Sequence, residues 1–207
     1  IDRLQTHQHG KLTDHMPSID LLLKKYEHFP IIAENTLRLL DSCSFNHDFK
    51  SNKNKKHYTD SRYNDKEKLA QLAMEGMLRR YGKGNEEAER RVKKELDIID
   101  NLGFSSYFLI TWDIVQYSLS KGFYHVGRGS GANSVVAYCV GITDVDPIQL
   151  DLYFERFLNP HRLSPPDFDI DWSHKTRDTI LDYIFQRFGA NHTCFVGTIG
   201  TFKRRSP

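Results

Sequence analysis

The sequence predicts an α+β protein. Segments with apolar residues at helical spacing, punctuated by Pro and Gly, dominate residues 17–120 on either side of a break at 44–66. After Gly122 short β-type segments appear, and one of them, Pro166–Trp172, alternates with period two. These short segments are interleaved with further helical ones.

At 207 residues the chain can hold one or two domains with a core of their own. Its 39% hydrophobic and 27% charged residues fit a soluble folded protein rather than a disordered one. Net charge is +2, from 29 basic and 27 acidic residues. That excludes a histone-like polycation without excluding nucleic acid, because local charge distribution matters more than the sum. No apolar run approaches the roughly 18–20 residues of a membrane span, so no membrane partner is expected. Cys43, Cys139 and Cys194 form no CxxC pair, which argues against a disulfide scaffold or zinc ribbon and for a reducing cytoplasm. The chain opens at Ile1 and stops at Lys203-Arg204-Arg205-Ser206-Pro207, and both ends read as cut.

Residues 1–16 carry His7, His9 and His15 without acidic or Cys partners at ligand spacing, so a surface strand or loop is expected rather than a metal site. From Pro17 a helix is expected, capped by Ser18, with Leu21, Leu22, Leu23 and Tyr26 on its apolar face. A second helix follows Pro30, with Ile31, Ile32, Ala33, Leu37, Leu39 and Leu40 expected in its core. Residues 44–66 break the pattern. Lys50, Lys53, Lys55, Lys56, Arg62 and Lys66 face only Asp60 and Asp65 there, so residues 51–66 read as a solvated basic linker, with contact to nucleic-acid phosphate as the competing reading. Amphipathic helices are expected over Asp65–Tyr81 (stripe Leu69, Leu72, Ala73, Met77, Leu78) and Asn85–Leu102 (Ala88, Val92, Leu96, Ile99). Gly82 and Gly103 end them. A more buried helix covers Tyr107–Leu119 and stops at Lys121-Gly122.

The chemistry begins after that stop. Phe123–Val126 reads as a strand, Gly127-Arg128-Gly129-Ser130-Gly131-Ala132-Asn133-Ser134 as a turn, and Val135–Val140 as a helix. Strand, Gly-rich turn and helix start make an anion site: the backbone can approach closely, and free N–H groups at the helix N-terminus favour negative charge. Arg128 adds a permanently charged fork and Ser130 a hydroxyl donor. The spacing is neither that of a P-loop nor GxGxxG, since Ser134 stands where a third glycine belongs. A plain connecting turn is the competing reading.

In Pro166–Trp172 the alternation sets Asp167, Asp169 and Asp171 on one face and Phe168, Ile170 and Trp172 on the other. Like charges on one strand face repel, and a divalent cation would relieve that conflict. The competing reading is an exposed edge strand with a solvated acidic face. Asp144-Val145-Asp146-Pro147 reads as a turn with capping residues. Arg156 and Arg162 precede the acidic strand, so cations and metal-binding carboxylates are expected to flank one site suited to a nucleoside triphosphate. A salt bridge of Arg156 with Glu155 or Asp151 is the bland alternative. A helix from Lys175 to Phe188-Gly189 and a strand over Thr193–Val196 complete the chain.

Five blocks in order carry a resemblance: Gly127–Ser134, Gly141-Ile142-Thr143-Asp144-Val145-Asp146-Pro147, Phe154–Pro160, Pro166–Trp172 and Gly197-Thr198-Ile199-Gly200-Thr201-Phe202. Together they resemble the bacterial C-family replicative DNA polymerases, the alpha subunit of DNA polymerase III. Ala33–Thr36 and Glu75–Gly82 fit that family more loosely. The resemblance implies a polymerase-β-like nucleotidyltransferase palm, a mixed sheet with packed helices, preceded by a helical segment. Residues 1–50 would then be the C-terminal end of a PHP domain, 51–66 the linker, and 67–207 a partial palm.

It also implies template-directed synthesis from dNTPs by two-metal transfer, with two Mg²⁺ ions and with primer-template DNA as partner. A sliding clamp and other replicase subunits would bind through regions outside this chain. Arg128, Gly129, Ser130 and Arg156 would bind the nucleotide. Asp167, Asp169 and Asp171 would be the catalytic acids. Asp167 and Asp169 are the favoured metal pair, with Asp169 and Asp171 as the alternative. His125-Val126 replaces the family's usual Gly-Pro. A third family aspartate lies on a later strand, so this chain alone is expected to be inactive. Loss of neighbouring regions is expected to promote self-association. A metal-dependent nuclease or a non-catalytic nucleotide- or DNA-binding module are the alternative functions.

Overall fold

The computed structural model describes residues 17–44, 55–159, 161 and 166–197. The expected histidines at 7, 9 and 15, together with Lys50, Lys53 and Arg162, lie outside them, as does most of the fifth block. The chain divides into two compact units, residues 1–52 with 196–207 and residues 53–195.

In the first unit, helix α1 spans Ile19–Lys25 and α2 spans Pro30–Ser42. The Ser18 hydroxyl accepts from the Leu21 amide as the expected N-cap, and Pro30 occupies the first turn of α2, where its missing N–H costs nothing. The expected core residues of these helices are not a core. Neither helix buries a residue, and Ile31, Ile32, Leu37, Leu39 and Leu40 are exposed. Helical spacing makes an apolar face, but only a packing partner can bury it.

The second unit is built on α3 (Arg62–Tyr81), α4 (Glu86–Asn101) and α5 (Ser105–Ser120). Ser61 and Asn85 cap the first two, and Gly82 ends α3 with φ +78°. Leu69, Ala73, Met77, Ala88, Val92, Ile99, Phe108 and Leu109 form the core between them. Leu78, expected on the buried stripe, is exposed. Residues 55–66 are not a solvated connector throughout. The buried Asp65 accepts from the Tyr58 and Thr59 amides at 2.9 and 2.7 Å, and Tyr58 donates to Asp113 on α5 at 2.6 Å. α3 begins at Arg62, capped by the Ser61 hydroxyl and earlier than the expected Asp65, and the Arg62 side chain donates to the Asp100 carbonyl.

Beyond α5 come strand β1 (His125–Arg128), a 3-10 turn (Gly129–Asn133) and the short helix α6 (Val135–Cys139). A second 3-10 turn at Phe154–Arg156, strand β2 (Asp169–Trp172) and α7 (Arg177–Phe188) follow. β1 and β2 pair antiparallel, with Arg128 opposite Asp169 and His125 opposite Trp172. The strand expected over Thr193–Val196 does not form. Its β-rich composition finds no neighbouring ladder among the described residues, and an unpaired segment is not a strand.

α6 rests on α3 at Gly76, where a Cβ would overlap the Cys139 carbonyl oxygen. Arg79 donates to that same carbonyl at 3.1 Å. α7 is held to α5 by stacked Tyr117 and Tyr183 rings 3.7 Å apart. Asp113 completes this attachment, accepting from Tyr183 as well as from Tyr58 and lying 3.4 Å from Arg187. Burial, reinforced by the Asp113 carboxylate, pushes the Tyr183 hydroxyl up to about 12.

Candidate active site

Two residues of α5 set the acidic strand. Tyr107 near its start accepts the Phe168 amide at 2.9 Å and stacks on the Phe168 ring at 5.4 Å. Ser118 near its end accepts Trp172 Nε1–H at 2.7 Å while donating to the Phe123 carbonyl. Phe168 and Ile170 pack against the core. The inner half of the expected alternation is therefore present. Paired strand begins only at Asp169, two residues after Asp167.

On the outer face the structure brings Arg128, Asp169 and Asp171 together. Arg128 Nε donates to Asp171 Oδ2 at 2.6 Å, and Nη1 lies 3.4 Å from Asp169 Oδ2. Hydrogen bonding to Asp171, then the charges of Asp171 and Asp169, raise the guanidinium above its ordinary value. These side chains are about half exposed, at 58%, 45% and 56%. Asp167 is exposed as well. Among the described residues no three His, Cys, Asp or Glu side chains converge as a ready metal cage.

The Gly-rich turn lies against the same carboxylates. Gly129 has φ +72°, and a Cβ there would stand 2.6 Å from Asp169 Oδ2. A Cβ on Gly131 would meet the Phe168 ring at 2.5 Å. Gly131 is thus required for close approach, because the Phe168 ring is hemmed by other rings, whereas Gly129 is required by its positive φ and the Asp169 carboxylate could swing aside. Asn133 Nδ2 donates to the Ser130 carbonyl at 2.8 Å and Thr143 Oγ1 to the Gly127 carbonyl at 3.0 Å, fixing both ends of the turn.

The expected free helix N-terminus is not available to an anion. The Val135 and Val136 amides donate to the two oxygens of Glu95, each at 3.0 Å, and Ser134 Oγ donates to Glu95 at 2.8 Å. The Ala137 amide is taken by Ser134 Oγ. Glu95 is 1% exposed, with Arg91 Nη2 3.9 Å away. Burial pushes its carboxyl up to about 7, against the pull of these donors and of Arg91. The chain supplies its own carboxyl oxygens where sequence reasoning placed a ligand's anion. The signal was present: Glu95 falls on the Ala88–Val92–Ile99 stripe, an acid on an apolar face.

α4 also places the second arginine turn. Arg91 donates to the Leu152 carbonyl at 2.8 Å, and Lys94 pairs with Glu155 at 2.5 Å, which lowers the Glu155 carboxyl. Glu155 thus pairs with Lys94 instead of Arg156, and Arg156 is exposed on a turn that packs against Gly129–Asn133. Asp144 and Asp146 do structural work. Asp144 meets Arg80 at 2.7 Å, and Asp146 caps the Ile148 amide and accepts from Tyr81.

Residues 67–207 match the family described as the bacterial DNA polymerase III alpha NTPase domain. The chain is 36% identical over 98% of its length to an error-prone DNA polymerase of Symbiobacterium thermophilum, covering 19% of that protein. It is 47% identical over 67% of its length to the DNA polymerase III subunit alpha of Bacillus subtilis, covering 12% of it. The corresponding subunit of Treponema pallidum is 33% identical over 93% of the chain, which covers 17% of that relative. The chain therefore spans less than a fifth of the length of these relatives. With its Gly-Arg-Gly-Ser turn set against an acidic strand, the chain belongs to the bacterial DNA polymerase III alpha family.

Proposed function

We propose that this chain forms the nucleotide- and metal-binding part of a template-directed DNA polymerase, which joins the α-phosphate of a deoxynucleoside triphosphate to a primer 3′-hydroxyl. The observation that carries the reading is the approach of Gly129 to Asp169: a turn suited to phosphate lies a missing Cβ away from a carboxylate suited to metal. Family membership adds support. In this reading residues 67–207 form a partial nucleotidyltransferase palm. Mg²⁺, primer-template DNA, the sliding clamp, a PHP domain end at residues 1–50 and a cytoplasmic location belong to the same reading.

Asp169 and Asp171 already share one cation, Arg128, so the strand fits a positively charged ligand. Asp167 and Asp169 would hold the divalent ions, which when bound supply charge neutralisation at the attacking and leaving oxygens. Gly129 lets the backbone approach the triphosphate, Ser130 offers a hydroxyl, and Arg128 and Arg156 offset phosphate charge. In this reading the electrostatics come from these donors and not from the α6 N-terminus, which Glu95 already occupies.

The test is dNTP binding to this chain with and without Mn²⁺, compared with the Asp167→Asn/Asp169→Asn double variant. Mn²⁺-dependent binding that drops at least about tenfold in the variant is expected. Affinity indifferent to both Mn²⁺ and the double substitution would overturn the reading.

A further inference from the structure

The three acids of Pro166–Trp172 alternate alike, and the structure separates two of them, Asp169 and Asp171, by what each does to Arg128. Its Nε bond to Asp171 is 2.6 Å, the short distance of a charge-assisted hydrogen bond, whereas Nη1 stands 3.4 Å from Asp169. Asp169 is the residue directly opposite Arg128 in the ladder, yet the closer contact runs to Asp171, two residues on. Asp169 also has the Gly129 turn pressed against its Oδ2, while no such approach is made to Asp171 by a described glycine. The guanidinium does not lose its proton at accessible pH, so it is a permanent cation that only competition can move. About half of each side chain is open to solvent, so a competing ion can reach the pair.

We propose that Asp171 is the positioning residue for Arg128, and that Arg128 is an internal counter-ion which a divalent cation displaces from Asp169 while Asp171 retains it. Without the ion, Arg128 relieves the repulsion of two like-charged neighbours on one strand face. With it, Asp169 turns to the ion and Asp171 keeps the guanidinium beside Gly129-Ser130. The assignment of Asp169 to metal rests on the polymerase reading. The displacement is read without nucleotide, so the two can fail separately.

The experiment titrates this chain with Mn²⁺ in the absence of nucleotide, and follows the Arg128 Nε–H NMR signal under Mg²⁺, the signal being assigned by its loss in Arg128→Gln. Removing the competitor in Arg128→Gln should tighten Mn²⁺ by about two- to fivefold, the range of an exposed ion pair. Arg156→Gln controls for the general loss of a positive charge and should change Mn²⁺ affinity less than Arg128→Gln does. Asp169→Asn should abolish Mn²⁺ binding, and Asp171→Asn should retain it. The Nε–H signal should persist at saturating Mg²⁺ in the wild-type chain and be lost in Asp171→Asn. Three results overturn the proposal: loss of Mn²⁺ binding in Asp171→Asn, loss of the Nε–H signal at Mg²⁺ saturation, or no Mn²⁺ binding by the wild-type chain. An Arg128→Gln effect equal to that of Arg156→Gln would likewise overturn displacement. If the Mn²⁺ order holds but no variant or wild-type chain binds dNTP, the polymerase reading falls and the counter-ion assignment stands.

Discussion

Glu95 and the Asp169–Asp171 pair are carboxylates in opposite settings on either side of the same turn. Glu95 is fully buried and surrounded by donors the fold holds fixed: two amides, a hydroxyl and, further off, Arg91. Asp169 and Asp171 are half exposed and answered by one arginine that is itself exposed. A buried, satisfied carboxylate is an anchor, because removing it strands its partners in low dielectric. Exposed carboxylates are weakly committed, since solvent screens the pair and can replace either member. The turn thus has one end fastened to the interior and the other laid against groups free to exchange ligands. In the proposed function, binding would use that division, the scaffold holding while the ligands change.

The largest expected effect tests the anchor. Glu95→Ala should cost several kcal/mol of stability, because it leaves two amides and a hydroxyl buried and unpaired at about 1–3 kcal/mol each, whereas Asp171→Asn should leave the denaturation midpoint close to wild type. Equal midpoints for the two variants would remove the distinction between anchor and exchangeable site.

Proton linkage sharpens it next. Burial raises Glu95 from its ordinary value of 4.5 to about 7 in the folded state. The protonated form is therefore favoured by folding, and the stability it contributes is complete below pH 4.5 and lost as pH rises to about 7. Relative to Glu95→Gln, the wild-type chain should lose on the order of 3 kcal/mol across that window. Denaturant unfolding at several pH values checks this, and a pH-independent difference between the two chains would contradict it.

A smaller effect is expected where the two settings meet. Gly131→Ala sets a Cβ 2.5 Å from the Phe168 ring. The ring lies among Tyr107, Phe108 and Phe157, so overpacking should cost about 1–3 kcal/mol. A neutral substitution would mean that the turn can lift from the acidic strand.

The smallest effect carries no stability change. Cys139 lies buried on α6, where burial pushes its thiol up to about 12, while Cys43 and Cys194 are exposed. A thiol reagent should modify Cys43 and Cys194 promptly in the native chain and Cys139 only on unfolding. Prompt reaction of Cys139 would show that the α6 end of the turn opens readily.

Helix positions were legible because they depend on local chemistry. Ser18, Pro30, Asn85 and Gly82 act at helix ends within one turn of their own sequence. The order of the motif blocks also carried the family, and alternation carried the inward facing of Phe168 and Ile170. Burial was less legible. Leu37 and Leu40 have the spacing of core residues and are exposed, while Glu95 has the chemistry of a surface residue and is buried. Thr193–Val196 has strand composition without a described ladder to join.

The sequence by itself therefore determined the helical segments, the Gly-rich turn and the presence of three acids at alternate positions. Only the tertiary structure decided that Glu95 fills the α6 N-terminus, that Gly129 abuts Asp169, and that Arg128 favours Asp171 over its opposite neighbour. The reason is physical. Caps and periodicity follow from contacts within about four residues, but the partner of a charge is set by segments some forty residues apart in the chain, as Glu95 is from Val135 and Arg128 from Asp171.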